Sequence, residues 1–191
     1  MKYFYIKILK IVLYIIFVVG VYIVSLYNYI LVKKNKVNNA YSSLDIMLKR
    51  RYDLIPNLVS VVKEYTKYEN KILNHLVELR NELIKSNKPA EIARKNNYID
   101  QAIKSIFVHV EKYPDLKASE QYLNLQKNLT ETENHISAAR RTYNAHVTKY
   151  NNTIETFPNI IFSKLFGFKK IEWFEFDSPE KEKVKVYEDD R

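Results

Sequence analysis

Charged and amide side chains recur at helical spacing along the apolar stripes of this chain. Glu69, Arg80, Glu133, Arg140, Asn144 and Asn151 stand on or beside such stripes, and Arg51 and Asp53 sit next to Pro56. Two kinds of chemistry fit these eight residues. They could form a buried network of ion pairs and amides that fixes helix register, because buried charges are costly unless paired. Alternatively, they could line a polar pocket between helices for a small ligand or a partner's side chain. Metal chemistry fits poorly. A bundle di-iron site needs Glu-x-x-His pairs on facing helices, and none of His75, His109, His135 or His146 has Glu three residues before it. Glu131 and His135 share a helix face, but one such pair arises readily by chance.

Composition removes further classes. The chain has two glycines, Gly20 and Gly167, and no cysteine. Phosphate loops, dinucleotide turns and nucleophile elbows need glycine where backbone meets ligand or takes positive φ. Thiolate catalysis, disulfides, Cys-ligated metals and lipid attachment through Cys are excluded too. No enzyme, cofactor or metal is therefore expected. The net charge is +9. Lysines flanking an apolar segment favour anionic head groups, so a bilayer rather than nucleic acid is the expected partner.

Any such site must be positioned by helices. Ile11 to Val32 carries no charge over 22 residues, and about 20 apolar helical residues cross a bilayer core. The run is too long for a signal-peptide core, and no small-x-small cleavage site follows it. A retained transmembrane helix is expected after a basic start at residues 1–10. Lys33, Lys34, Lys36, Lys49, Arg50 and Arg51 follow it, against Lys2, Lys7 and Lys10 before it, so the positive-inside rule leans towards a cytoplasmic C-terminal domain.

Beyond the span, four segments carry a helical period. Val37, Tyr41, Leu44, Leu48 and Arg51 alternate at spacings of four and three. Proline belongs in a first turn and Asp is a good N-cap. A break at Arg51 to Asp53 is therefore expected before Pro56, with a kinked continuous helix as the alternative. The dense basic run Lys49-Arg50-Arg51 would then be a solvated helix end or a lipid contact. A second helix from Leu54 carries Leu58, Val62, Tyr65, Glu69, Ile72, Leu76, Leu79 and Leu83, a heptad seam. The third runs from Pro89 with Ile92, Asn96, Ile99, Ile103, Ile106 and Val110 inward. The fourth spans Leu116 to Phe157, with Tyr122, Leu125, Leu129, Ile136, Tyr143, Val147, Tyr150 and Ile154 on its stripe. Short turns between long helices make neighbours antiparallel. The expected architecture is all-α: an N-terminal transmembrane helix followed by an elongated antiparallel four-helix bundle over residues 33–176. Ile160 to Phe168 forms an aromatic amphipathic piece that either packs on the bundle end, docks at the membrane interface or binds a partner. Trp173 to Phe176 reads as an extended strip, and residues 177–191 as a charged, disordered tail.

Two blocks carry a family resemblance. AYSSLDIMLKRRYDLIPNLVSVVKEY, from Ala40 to Tyr65, and RRTYNAHVTKYNNTIETFPNIIFSKLFGF, from Arg140 to Phe168, resemble the signatures of the LemA family. The second holds two Tyr-Asn pairs seven residues apart. Tyr68-Glu69 departs from the pattern, which more often has His before the Glu. The resemblance implies a single-pass bacterial cell-membrane protein with a four-helix-bundle-like domain, no enzymatic activity and no established cofactor. A scaffold or adaptor for protein partners is the expected role, homo-oligomerisation through exposed seams is compatible with it, and ligand sensing through the polar seam is the alternative.

Overall fold

The computed structural model describes residues 2–65, 70–86 and 89–175. The fold is all-α, with no strand among the described residues. Its helices are α1 (Lys2–Tyr65), α2 (Asn70–Lys85), α3 (Pro89–Val110), α4 (Pro114–Ala118), α5 (Glu120–Glu155) and α6 (Asn159–Leu165). They fall into two compact units. Among the described residues, one holds 2–43 together with 141–172, and the other holds 44–140 with 173–175.

α1 corrects the expected break. It continues through Arg51, Tyr52 and Asp53 with Pro56 inside it. A mid-helix proline normally orphans the carbonyl four residues before it, because that carbonyl has no N–H to receive. Here the carbonyl belongs to Tyr52, and Arg80 of α2 donates its Nε–H to it at 2.8 Å. A guanidinium from the next helix takes the place of the missing amide. Asp53 is accordingly no N-cap but an exposed mid-helix residue, 4.0 Å from Arg80. Lys49-Arg50-Arg51 is no helix end either: Lys49 and Arg50 are exposed while Arg51 is buried.

The expected second helix is divided. Its first part closes α1 and its second part is α2. Residues 52 and 80 in one straight helix would lie about 42 Å apart, yet they hydrogen-bond, so α2 lies back along α1. Of the expected seam, Leu58 and Val62 on α1 and Leu76, Leu79 and Leu83 on α2 are buried, whereas Tyr65 is 42% exposed and Leu73, not the half-buried Ile72, points fully inward. α3 has the expected bounds and buries Ile92, Asn96, Ile99, Ile103, Ile106 and Val110. Lys95 ties it to α2 through Glu82 at 3.0 Å. The expected fourth helix is also divided, because Ser119 takes an extended conformation between α4 and α5. α5 buries Tyr122, Leu129, Ile136, Tyr143 and Tyr150 at heptad spacing.

In the other unit, residues 3–22 of α1 are all exposed, and α1 is the one helix among the described residues long and apolar enough to cross a membrane. Ile30, Val37 and Ala40 are buried, and Tyr41 packs on Tyr143 with ring centroids 5.7 Å apart. α6 meets α1 through Phe162 against Tyr22 at 6.5 Å. Phe166 and Phe168 flank Tyr27 at 5.3 and 5.6 Å. Gly167 between them has φ +73°, a left-handed conformation that glycine adopts without a Cβ penalty.

Candidate functional site

Arg51 is the centre of a polar cluster in the second unit that joins α1, α3 and α5. It occupies the next seam position after Leu44 and Leu48 on α1, so the helix that buries those leucines also buries the guanidinium, which is only 2% exposed. Burial of a cation demands partners, and two carboxylates supply them. Nη1 donates to Asp100 of α3, and Nη2 donates to Glu133 Oε2 of α5 at 2.6 Å. One side chain thus joins three helices. Next to it, Asn96 donates to the Tyr52 hydroxyl at 2.7 Å and to the Ile92 carbonyl at 2.8 Å. Among the described residues, Arg51 Nε and Asn96 Oδ1 are buried without a hydrogen-bond partner.

A cavity of about 250 Å³ adjoins the cluster. Ile103, Phe107 and Leu129 give it an apolar wall; Arg51, Asp100, Lys104 and Glu133 give it a charged one. Burial pushes the Glu133 carboxyl above its ordinary range and Asp100 adds to the shift, while Arg51, Arg140 and Lys104 pull against it. The ion pair with Arg51 is therefore outweighed by desolvation at this carboxyl. A raised folded-state pKa favours folding at low pH, fully below the unfolded value of about 4.3, and this contribution is lost as pH rises through the folded value. The stability difference between wild type and Glu133→Gln is expected to move in favour of wild type as pH falls from 7 to about 3.5. Chemical denaturation of both proteins along that range measures it.

The other sequence candidates separate by unit. Arg80 serves the Tyr52 carbonyl and reaches Asn81 Oδ1 at 3.1 Å. Arg140 is half-buried and acts on Glu133 through its charge. Glu69 lies outside the described residues. Asn151 belongs to the first unit, where it grips an extended segment. Its Nδ2 donates to the Ile171 carbonyl at 2.9 Å and its Oδ1 accepts from the Ile171 amide at 3.0 Å. Tyr143 and Tyr150 donate to the carbonyls of Glu172 and Lys169 at 3.1 and 3.0 Å. Seven helical residues rise about 10.5 Å, and three extended residues span about 10 Å. The two tyrosines therefore match two carbonyls of a chain running antiparallel to α5. Asn144 is half-buried one residue after Tyr143, and its carbonyl accepts from Thr148. Asn151→Leu removes two hydrogen bonds and is expected to lower stability by about 2 kcal/mol, with loss of hydrogen-exchange protection at the Ile171 amide.

Asp100 and Tyr52 were missed among the site candidates. Asp100 follows Ile99 on α3, and nothing in its local pattern separates it from a surface charge. Asn96 did carry a signal, since it occupies a seam position otherwise filled by isoleucine. Among the described residues no three His, Cys, Asp or Glu side chains are grouped as a metal site.

These features define a class: an all-helical chain with one bilayer-length apolar helix, whose interior charges tie helix to helix. The LemA family model matches residues 40–187, beginning at the alanine that opens the first signature block. The chain belongs to the LemA family. Protein LemA of Metamycoplasma hominis is 31% identical over 137 residues, covering 69% of this chain and 61% of that protein. Magnetosome protein MamQ of Magnetospirillum gryphiswaldense is 24% identical over 162 residues, covering 70% of this chain and 58% of the relative. Magnetosome protein MamQ 1 of Paramagnetospirillum magneticum is 24% identical over 160 residues, covering 70% and 59%. The chain thus spans about three fifths of the length of the curated relatives it matches. None of these names denotes an enzyme, and the apolar reach of α1 agrees with membrane localisation.

Proposed function

We propose that the chain is a non-enzymatic, single-span protein of the bacterial cell membrane, whose four-helix bundle is a scaffold or adaptor for a protein partner. One observation carries this reading: three of the polar side chains that could do chemistry, Arg51, Arg80 and Asn151, are committed to holding backbone and helices. Arg51 joins α1, α3 and α5, Arg80 serves the carbonyl orphaned by Pro56, and Asn151 grips the segment at Ile171. The lysines after the span support a cytoplasmic bundle. The full-length chain, tagged and purified in mild detergent from its own host, is expected to retain one protein in a fixed ratio. That complex reassembles from the two purified components, as read by light scattering on a sizing column. Failure to reassemble removes the scaffold reading.

The cavity beside Arg51 favours ligand sensing as the second reading. Its apolar wall and charged end suit a small molecule with an apolar body and one polar group. A rise in melting temperature with such a ligand, in the absence of any protein partner, is the outcome that selects it.

A further inference from the structure

We propose that α6 and the turn after it form a second contact with the bilayer, lying in the head-group layer beside the spanning helix. The observation is where α6 docks. Phe162 packs on Tyr22 and Phe166 packs on Tyr27, and both tyrosines fall inside the uncharged run of α1. Tyr22 is about 16 Å along the helix from Lys33. Whatever packs there is held against the membrane-crossing helix itself.

The two faces of α6 differ in kind. Ser163 faces inward and donates to the Ile154 carbonyl at 2.7 Å. On the outer face, Ile161 and Leu165 stand four residues apart and are 57% and 74% exposed. Phe157, just before the helix, is 76% exposed. In water this apolar patch is unfavourable at roughly 25 cal/mol per Å². Bordering the apolar helix, its fitting occupant is lipid. Lys164 is exposed on α6 itself, Lys169 follows it, and Lys170, also exposed, pairs with Glu155. Their charges hold the segment at head-group depth rather than in the hydrocarbon.

That depth sets the membrane boundary. If α6 lies in the head-group layer, the hydrocarbon ends near Tyr22 on this side, not near Val32. Residues 3–22 are all exposed and rise about 30 Å, the thickness of a bilayer core. Lys7 and Lys10, about 6 and 10 Å along the helix from residue 3, then extend their stems towards the opposite head groups, with the bilayer thinned locally around Lys10. Tyr22 and Tyr27, with Phe162, Phe166 and Phe168, make the interfacial aromatic belt.

The inference rests on α1 crossing the bilayer, and the experiment separates the two. The chain has no cysteine, so Ile161→Cys, Leu165→Cys, Lys164→Cys and Ile16→Cys each give one spin-label position. The full-length variants are placed in vesicles of phosphatidylcholine and phosphatidylglycerol, and relaxation by oxygen is compared with relaxation by a water-soluble nickel chelate. Oxygen is expected to dominate at residues 161 and 165, with the nickel chelate dominant at 164. Dominance of the nickel chelate at both 161 and 165 overturns the inference. So does weak relaxation by either agent there, which means that protein covers the patch. The label at residue 16 reports the span alone. Oxygen dominance there with failure at 161 and 165 removes only the α6 contact, whereas nickel dominance at residue 16 removes the membrane anchor and the contact with it.

Discussion

Replacing Arg51 by Met is expected to lower stability by about 3 kcal/mol, or roughly 10 °C in Tm. Its side chain is 2% exposed and bonds carboxylates on two other helices. Removal of the guanidinium leaves Asp100, 18% exposed, and Glu133, 41% exposed, without the cation that bonds both, beside a partly apolar cavity. Breaking a buried pair by deleting one partner costs about 3–5 kcal/mol. The lower end applies because Glu133 is still partly hydrated. Arg51→Lys is not a rescue: a single ammonium has no planar fork to bond two carboxylates on different helices. Thermal unfolding of the full-length protein in detergent, followed by circular dichroism, gives the comparison.

The second large effect concerns Pro56 and Arg80, and it takes the form of a coupling. Arg80→Met deletes the donor to the Tyr52 carbonyl and is expected to cost about 2 kcal/mol, a charge-assisted hydrogen bond together with a carbonyl left unsatisfied. In Pro56→Ala the helix regains its own N–H, and Arg80→Met then costs only about 0.5 kcal/mol. The cycle of four proteins reports a coupling near 1.5 kcal/mol. Equal losses in both backgrounds mean that Arg80 acts through its other neighbours, Asn81 and Asp53. Nothing short of the cycle distinguishes these, because each single change also alters helix propensity or charge.

The pair also explains where sequence reading succeeded and where it stopped. Period and composition locate the buried faces, because burial of apolar stripes depends on spacing alone. Ile92 to Val110 and Tyr122 to Ile154 follow that rule. The break expected before Pro56 rests on a local rule with no knowledge of a neighbour, and a guanidinium 24 residues later overrides it. The sequence between α1 and α2 carries no proline or glycine: residues 66–69 read Thr-Lys-Tyr-Glu. The seam through Glu69 therefore looked continuous.

The candidate site was legible in proportion to how far each residue departed from its stripe. Arg51 in line with Leu44 and Leu48, and Asn96 in line with Ile92 and Ile99, are misfits that a periodic pattern exposes. Asp100 sits off the stripe, is half-buried, and gains its role from Arg51 of another helix, which bonds it. The two Tyr-Asn pairs were visible as a spacing, but their meaning was not. Heptad separation puts both hydroxyls on one face of α5, and the carbonyls they bind are 19 and 29 residues further along the chain.

On the scaffold reading the charges buried on the seam bind helices together rather than carry chemistry, and the full-length chain with Arg51→Met, Asp100→Leu and Glu133→Leu puts that to the proof. Removing the whole cluster strands neither a carboxylate nor the guanidinium, the remaining Lys104 and Arg140 being exposed and half-buried, and well-packed apolar replacements of such triads are neutral or stabilising by about 1–4 kcal/mol. The expected result is a helical protein that melts at or above the wild-type temperature and still captures the partner held by wild type. A variant that folds and melts as wild type does, yet no longer holds that partner, would contradict it and make the cluster a binding site.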